Sequence, residues 1–154
     1  MTDNGDLYEV DFVQWTEEQA RTLRRAKNSN LPLDWENLAE EIESLGRSQR
    51  RELSSQLRRI LRHLLKLQAS PAAEPRAGWG ATIREARKEI DNLLRDSPSL
   101  RRQVQGLIED EAGIAAELAM ADLSQHAEPA AAVRERIEQG GFTAEQVLGD
   151  WFPE

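Results

Sequence analysis

Residues 34–68, DWENLAEEIESLGRSQRRELSSQLRRILRHLLKLQ, decide the fold. Asp34 is an N-cap residue type at the head of a stretch with no proline and a single glycine, Gly46, so a helix can start there and run to Leu67 or Gln68. Projected at roughly 100° per residue, Trp35, Leu38, Ile42 and Leu45 share one narrow apolar stripe. Leu53, Leu57, Ile60, Leu61, Leu64, Leu65 and Leu67 instead spread over about half the circumference. An arc that wide must be covered by more than one other helix, which puts residues 53–67 at the centre of a helical bundle and 34–49 nearer its edge. Gly46 is the expected place for a kink.

Outward from this segment, helix-favouring residues dominate and no run of β-branched and aromatic residues alternates with period two, so the chain reads as all-α. A first helix is expected over Tyr8–Asn28, with Thr16 and Gln19 as a capping box if it starts late. Two prolines, two glycines and three alanines over residues 70–80 predict a loop. A third helix follows from about Trp79 to Arg95 with Ile83, Ala86, Ile90 and Leu93 on its buried face. Ser97-Pro98 opens a fourth, running to about Ser124, whose buried face is Leu100, Val104, Leu107, Ile108, Ile114 and Leu118. Pro129 starts a short helix that Gly140-Gly141 ends, and Thr143 with Gln146 forms a capping box for a last turn or two.

At 154 residues with 39% hydrophobic content, one domain over residues 1–154 is expected, closing with short helices and a tail over 125–154. The absence of cysteine removes disulfides, thiolate metal sites and thiol nucleophiles, and two histidines are too few for a His-rich metal site. Neither a signal peptide nor a membrane span is legible, so a cytoplasmic protein is expected. No metal or cofactor is implied: the Glu-x-x-His pairs of di-iron bundles, His-Glu-x-x-His, the phosphate loop and Gly-x-Ser-x-Gly are all missing.

The net charge of −8 is uneven. Residues 1–102 hold 17 acids and 18 bases, whereas 103–154 hold eleven acids and two bases. Within the long helix, Arg47, Arg50, Arg51, Arg58, Arg59, Arg62 and Lys66 stand against Glu52 alone. These arginines are candidates for binding phosphate or another anion. The acidic balance of the whole argues against nucleic acid, and neutralisation of the stripe by the acidic C-terminal third is the preferred reading.

Gln49, Gln56 and His63 fall at seven-residue spacing along one edge of the apolar arc. They either line a cleft or sit at the core boundary with their polar tips reaching water, and the second reading is preferred. Glu41, Glu52 and His63, with Arg84 or Arg87, form a candidate polar cluster, the nearest thing here to general acid-base equipment. A structural salt-bridge network accounts for the same residues and is preferred over catalysis.

The string from Asp34 to Ser48, then His63-Leu64-Leu65-Lys66-Leu67, Trp79 with Thr82-Ile83-Arg84-Glu85, and Asp96-Ser97-Pro98-Ser99-Leu100 resembles the bacterial family called domain of unknown function 29. Tyr8, Asp11-Phe12 and Trp15 resemble that family's beginning, and Glu145-Gln146-Val147-Leu148 with Trp151 and Pro153-Glu154 its end. The resemblance implies a small all-α domain and no particular activity. It departs at Gly140-Gly141-Phe142, where the family's Phe-Pro-rich approach to the last motif is missing.

Three classes of function follow. One is an interaction module that binds another protein or a second copy of itself, with Trp15, Trp35, Trp151 and Phe152 as candidate anchors. The others are an enzyme built on Glu41, His63 and an arginine, and a phosphate or nucleic-acid binder using residues 47–66. The first is preferred, and enzymatic activity is not expected.

Overall fold

The fold is that of a computed structural model, which describes residues 4–27, 29–70, 73–125 and 131–153. Among these there are seven α-helices and no strand: α1 Asn4–Val10, α2 Phe12–Ala26, α3 Trp35–Ala69, α4 Ala73–Asp96, α5 Val104–Gln125, α6 Ala131–Glu138 and α7 Ala144–Leu148. A 3-10 segment, Pro98–Gln103, leads into α5. The chain divides into two compact units, Met1–Leu53 with Asn92–Arg102, and Ser54–Asp91 with Gln103–Glu154.

In the first unit the expected single helix over Tyr8–Asn28 is broken at Asp11, which caps α2 (Asn28 lies outside the described residues). Asp11 Oδ1 accepts from the Gln14 N–H at 3.0 Å and from the Ser99 hydroxyl at 2.9 Å, and Oδ2 accepts from the Ser99 N–H at 2.7 Å. Ser97 Oγ in turn accepts from the Val13 N–H at 3.0 Å. Two helical segments remote in sequence thus satisfy each other's first N–H groups, which have no partner inside their own segment. Thr16 is not a cap. It lies inside α2, is fully buried, and its hydroxyl donates to the Val13 carbonyl at 2.6 Å.

Asp34 does cap α3, its Oδ1 accepting from the Asn37 N–H at 3.3 Å. The helix runs unbroken through Gly46, which is buried against Thr16. A Cβ at Gly46 would stand 2.5 Å from Thr16 Oγ1. The glycine is therefore a point of close helix approach rather than a weak place in α3.

In the second unit Leu57, Ile60, Leu61, Leu64, Leu65 and Leu67 of α3 are all at most 5% exposed, each contributing about 2 kcal/mol by leaving water. Their covering comes from Ile83, Ala86 and Ile90 of α4, from α5, and from Val133, Phe142 and Val147, all buried. The loop expected over 70–80 is largely helix, since α4 begins at Ala73 (71–72 lie outside the described residues). Pro75 falls in the first turn, where its missing N–H and fixed φ cost nothing. The Arg76 guanidinium binds the Leu67 and Ser70 carbonyls and so caps the end of α3. Downstream, Ser97 opens the 3-10 segment, and α5 starts only at Val104. The buried face of α5 is Val104, Ile108, Ala115, Ala116, Ala119 and Leu123; Ile114 is 47% exposed, contrary to the periodicity read from its larger residues. Alanines allow close approach, and they carry a weaker hydropathy signal than the flanking Ile and Leu.

The glycine pair after α6 adopts positive φ, 105° at Gly140 and 70° at Gly141, and the expected Thr143/Gln146 capping box is present on α7. Pro129, expected to open α6, lies outside the described residues. Arg87 of α4 is buried and holds the chain end by donating to the carbonyls of Val147 (2.9 Å), Gln146 (2.8 Å) and Trp151 (2.7 Å). Burial pushes its guanidinium below the ordinary arginine range.

A test of the close approach is Gly46→Ala, which should destabilise the protein by about 1–3 kcal/mol in urea denaturation despite alanine's better helix propensity. In a Thr16→Ala background the same substitution should be neutral or stabilising. Equal cost in both backgrounds would place the strain elsewhere.

Candidate functional site

The first half of α3 presents two different surfaces on either side of its buried line, Ala39, Gly46 and Leu53. On the side shared with α2, charges interlock. Arg24 bonds Glu43 at 2.6 Å and lies 3.8 Å from both Glu36 and Glu40. Arg47 reaches Glu40 at 2.6 Å and Glu43 at 3.7 Å, and Arg50 pairs with Glu17. The hydrogen bond to Arg24 holds the Glu43 carboxyl below its usual range, with the charges of Arg24, Arg47 and Arg50 adding to it against partial desolvation. A cleft of about 280 Å³ opens among these groups. Its arginines already have carboxylate partners, Arg21 excepted, so it is a neutralised ionic cleft and a poor anion receptor.

On the other side lies the apolar stripe. Leu38 is 40% and Leu45 50% exposed, and Trp35 and Ile42 between them are half-buried. Leu31 and Leu33, in the connection before α3, are 62% and 51% exposed. Asp34, Glu41 and Glu52 project along the border of this stripe and are exposed. The Trp35 indole N–H is buried without an acceptor among the described residues.

Three basic residues of α3 in the second unit, Arg58, Arg62 and Lys66, are also paired. Arg58 faces Glu111 at 3.6 Å. Arg62 Nε and Nη2 make a bidentate fork with Asp122 at 2.7 and 2.6 Å, and Lys66, 7% exposed, meets the same carboxylate at 3.0 Å. Because 58, 62 and 66 advance along α3 as 111 and 122 advance along α5, the two helices run in the same direction. Lys66 Nζ also stands 5.0 Å above the Trp79 ring. Of the candidate anion-binding set, Arg47, Arg50, Arg58 and Arg62 have carboxylate partners, whereas Arg51 and Arg59 are exposed. In the second unit the partners come from α5, within the acidic third; in the first they come from α2 and from α3 itself.

The members of the polar cluster are distributed. Glu41 and Glu52 are exposed in the first unit, roughly 16 Å apart along one helix. His63 and Arg84 belong to the second. His63 is half-buried, and its Nδ1 bonds the Arg59 carbonyl at 2.7 Å, so in the neutral ring that nitrogen carries the proton. Burial pushes the imidazole pKa down, and the neighbouring Lys66 and Arg62 charges act in the same direction. The Arg84 guanidinium lies 5.1 Å from the Phe152 ring. No hydrogen bond or ion pair among the described residues joins His63 to Arg84, and no group of three or more His, Asp or Glu there could hold a metal ion.

Three of the four proposed aromatic anchors are engaged by their own chain. Trp15 is edge-on to Tyr8 at 4.9 Å and stacked with Phe12 at 6.0 Å. Trp151 tilts on Phe142 at 5.8 Å, and Phe152 receives Arg84 and Arg87. Trp35 lies beside the exposed Leu38 on the apolar stripe of α3. Its stripe is legible in the sequence; that the leucines of the stripe face water is not, because it depends on Gly46 being where α2 packs.

These features define an all-α protein whose exposed large hydrophobic residues, among the described residues, lie mostly in the first unit, on α1, in the connection before α3 and on the first half of α3. The chain belongs to the family described as Domain of unknown function DUF29, whose model matches residues 7–152. It is similar to the crystal structure of an alpha-helical protein of unknown function from Rhodospirillum rubrum, with 28% identity, a TM-score of 0.72, and coverage of 92% of this chain and 88% of that one. No curated protein matches it. Among the described residues no helix is long and apolar enough to cross a membrane.

The Asp122 triad makes a pH-dependent contribution of known sign. Its hydrogen bond to Arg62, opposed by desolvation and reinforced by Lys66, holds the carboxyl at about 2 against an ordinary 3.8. A depressed pKa contributes stability above the ordinary value and loses it as pH falls through the lowered one. Asp122→Asn should cost about 2–4 kcal/mol at neutral pH because it strands the buried Lys66. The variant's further loss between about pH 4 and pH 2 should be smaller than the parent's by roughly 2 kcal/mol. A variant within about 0.5 kcal/mol of the parent would reduce the triad to an ordinary surface pair.

Proposed function

We propose that this protein acts as a helical interaction module, and that the stripe Trp35, Leu38, Ile42 and Leu45, extended by Leu31 and Leu33, receives an amphipathic segment of another protein. One observation carries this reading: of the seven large hydrophobic residues exposed in the described chain, Tyr8, Val10, Leu31, Leu33, Leu38, Leu45 and Ile114, all but Ile114 lie in the first unit. Scattered single hydrophobics need no explanation, but Leu38 and Leu45 repeat at seven residues on one helix face with Trp35 and Ile42 beside them. That is the spacing a partner helix reads.

Charge complementarity selects the partner. Asp34 and Glu41 border the stripe, so the matching segment carries leucine-type residues flanked by Lys or Arg. A second copy of this chain would set the same acidic border against itself, which is unfavourable.

The test places a photo-crosslinking amino acid at position 45, and at exposed Arg95 as a control, in the cell that makes the protein. The expected result is a discrete adduct from position 45 alone, reduced more than about tenfold by Leu38→Glu. Because Leu38 is 40% exposed, that substitution should leave stability within about 0.5 kcal/mol of the parent. An adduct with the mass of two chains would assign the stripe to self-association and overturn the choice of partner. Equal yields from both positions, or no adduct, would overturn the interface.

A further inference from the structure

The second unit contains a cavity of about 240 Å³ that is separate from every ion pair described above. Leu61 and Leu65 of α3, Ile108 of α5 and Phe142 form its deep wall, exposed by 2%, 1%, 3% and 5%. Ala112 and Ile137 are half-buried along it, and Gly140-Gly141 bounds it with bare backbone. Among the described residues its only side-chain polar groups are those of Gln105 and Glu109, both exposed, with Gln105 Nε2 donating to Glu109 Oε1 at 3.3 Å.

This distribution is that of a small-molecule pocket: an apolar interior with a few polar groups at one end. The deep part offers water no side-chain polar partner, and water needs two to four such contacts to be held well. The size is small. An apolar cavity of roughly 150 Å³ takes a benzene ring, so this one has room for a ring and a short arm. Its polar end is negative. Glu109 supplies a carboxylate, and the C-terminal end of α6, just before Gly140, adds the partial negative charge of a helix terminus. Among the described residues no basic residue lines the cavity; the nearby Arg136 is spent on the Phe142 ring, at 4.4 Å, and on Gln146.

We propose that this cavity is a binding site for a small primary amine with a compact apolar body. The body lies against Phe142, Leu61, Leu65 and Ile108, and the ammonium group meets Glu109 at the mouth. Positive φ at Gly140 and Gly141 shapes that mouth, and keeps a side chain from standing in it.

Amide NMR on the intact chain tests the site with three probes sharing one ring and differing in their head group: phenethylamine, 2-phenylethanol and 3-phenylpropionate. Phenethylamine should shift the Gly140, Gly141 and Gln105 signals saturably, binding about tenfold more tightly than the carboxylate. Glu109→Gln should bring the amine down to the affinity of the alcohol. Ala112→Leu, which fills the cavity, should abolish binding of both while the remaining amide signals stay in place. The proposal fails if phenethylamine gives no saturable shift, if the carboxylate binds as tightly as the amine, or if the filled cavity still binds.

Discussion

The second half of α3 carries an apolar arc over about half its circumference, which cannot be left facing water. Leu57, Ile60, Leu61, Leu64, Leu65 and Leu67 wrap around it, and each is at most 5% exposed, so helices must cover it from several directions at once. The arrangement of the second unit follows from that demand. Residues of α4, α5 and the segment from α6 to α7 are buried there, and the polar contacts of the unit secure these covers. Arg76 closes the end of α3, Asp122 ties α5 to Arg62 and Lys66, and Arg87 holds the chain end by three carbonyls. The apolar arc supplies the driving force, which has no direction; the charged hydrogen bonds choose among the ways of satisfying it.

The first half of α3 answers to a weaker demand. Gly46 on its buried line lets α2 approach closely while the larger Leu38 and Leu45 remain outside. Charge follows the same division. The arginines on the α2 side are matched by Glu17, Glu40 and Glu43, and Asp34 and Glu41 lie exposed along the far border of the stripe. A helix with one neutralised flank and one apolar, acid-edged flank has a built-in distinction between the surface it uses internally and the surface it offers.

Several elements were legible in the residues because their signals are local. The N-cap at Asp34, the capping box at Thr143 and Gln146, and the Gly140-Gly141 terminus each depend on side chains within a few positions of the backbone groups they satisfy. Other elements were not. Asp11 reads as one more acidic residue in an acidic beginning; its cap on the Gln14 N–H is local, but its two bonds to Ser99, 88 positions away, exist only in the fold. The start of α4 was hidden by a proline and two glycines whose usual meaning is a loop, but Pro75 happens to fall in a first turn. Ile114 was misplaced because hydropathy weights a large side chain above the alanines that face the core.

By itself the sequence determined that the chain is all-α, that one long helix organises it, and that the chain holds more acids than its basic stripe needs for neutralisation. These follow from periodicity, propensity and charge count, which are properties of a strand of residues before it folds. Which acid meets which base, which face of α3 stays open, and where an apolar cavity is left depended on tertiary structure, since each is a relation between side chains remote in sequence. The glycine at 46 shows the reason most directly: in the sequence it is the least helical residue of α3, and in the fold it is the one position where the absence of a side chain lets a second helix in.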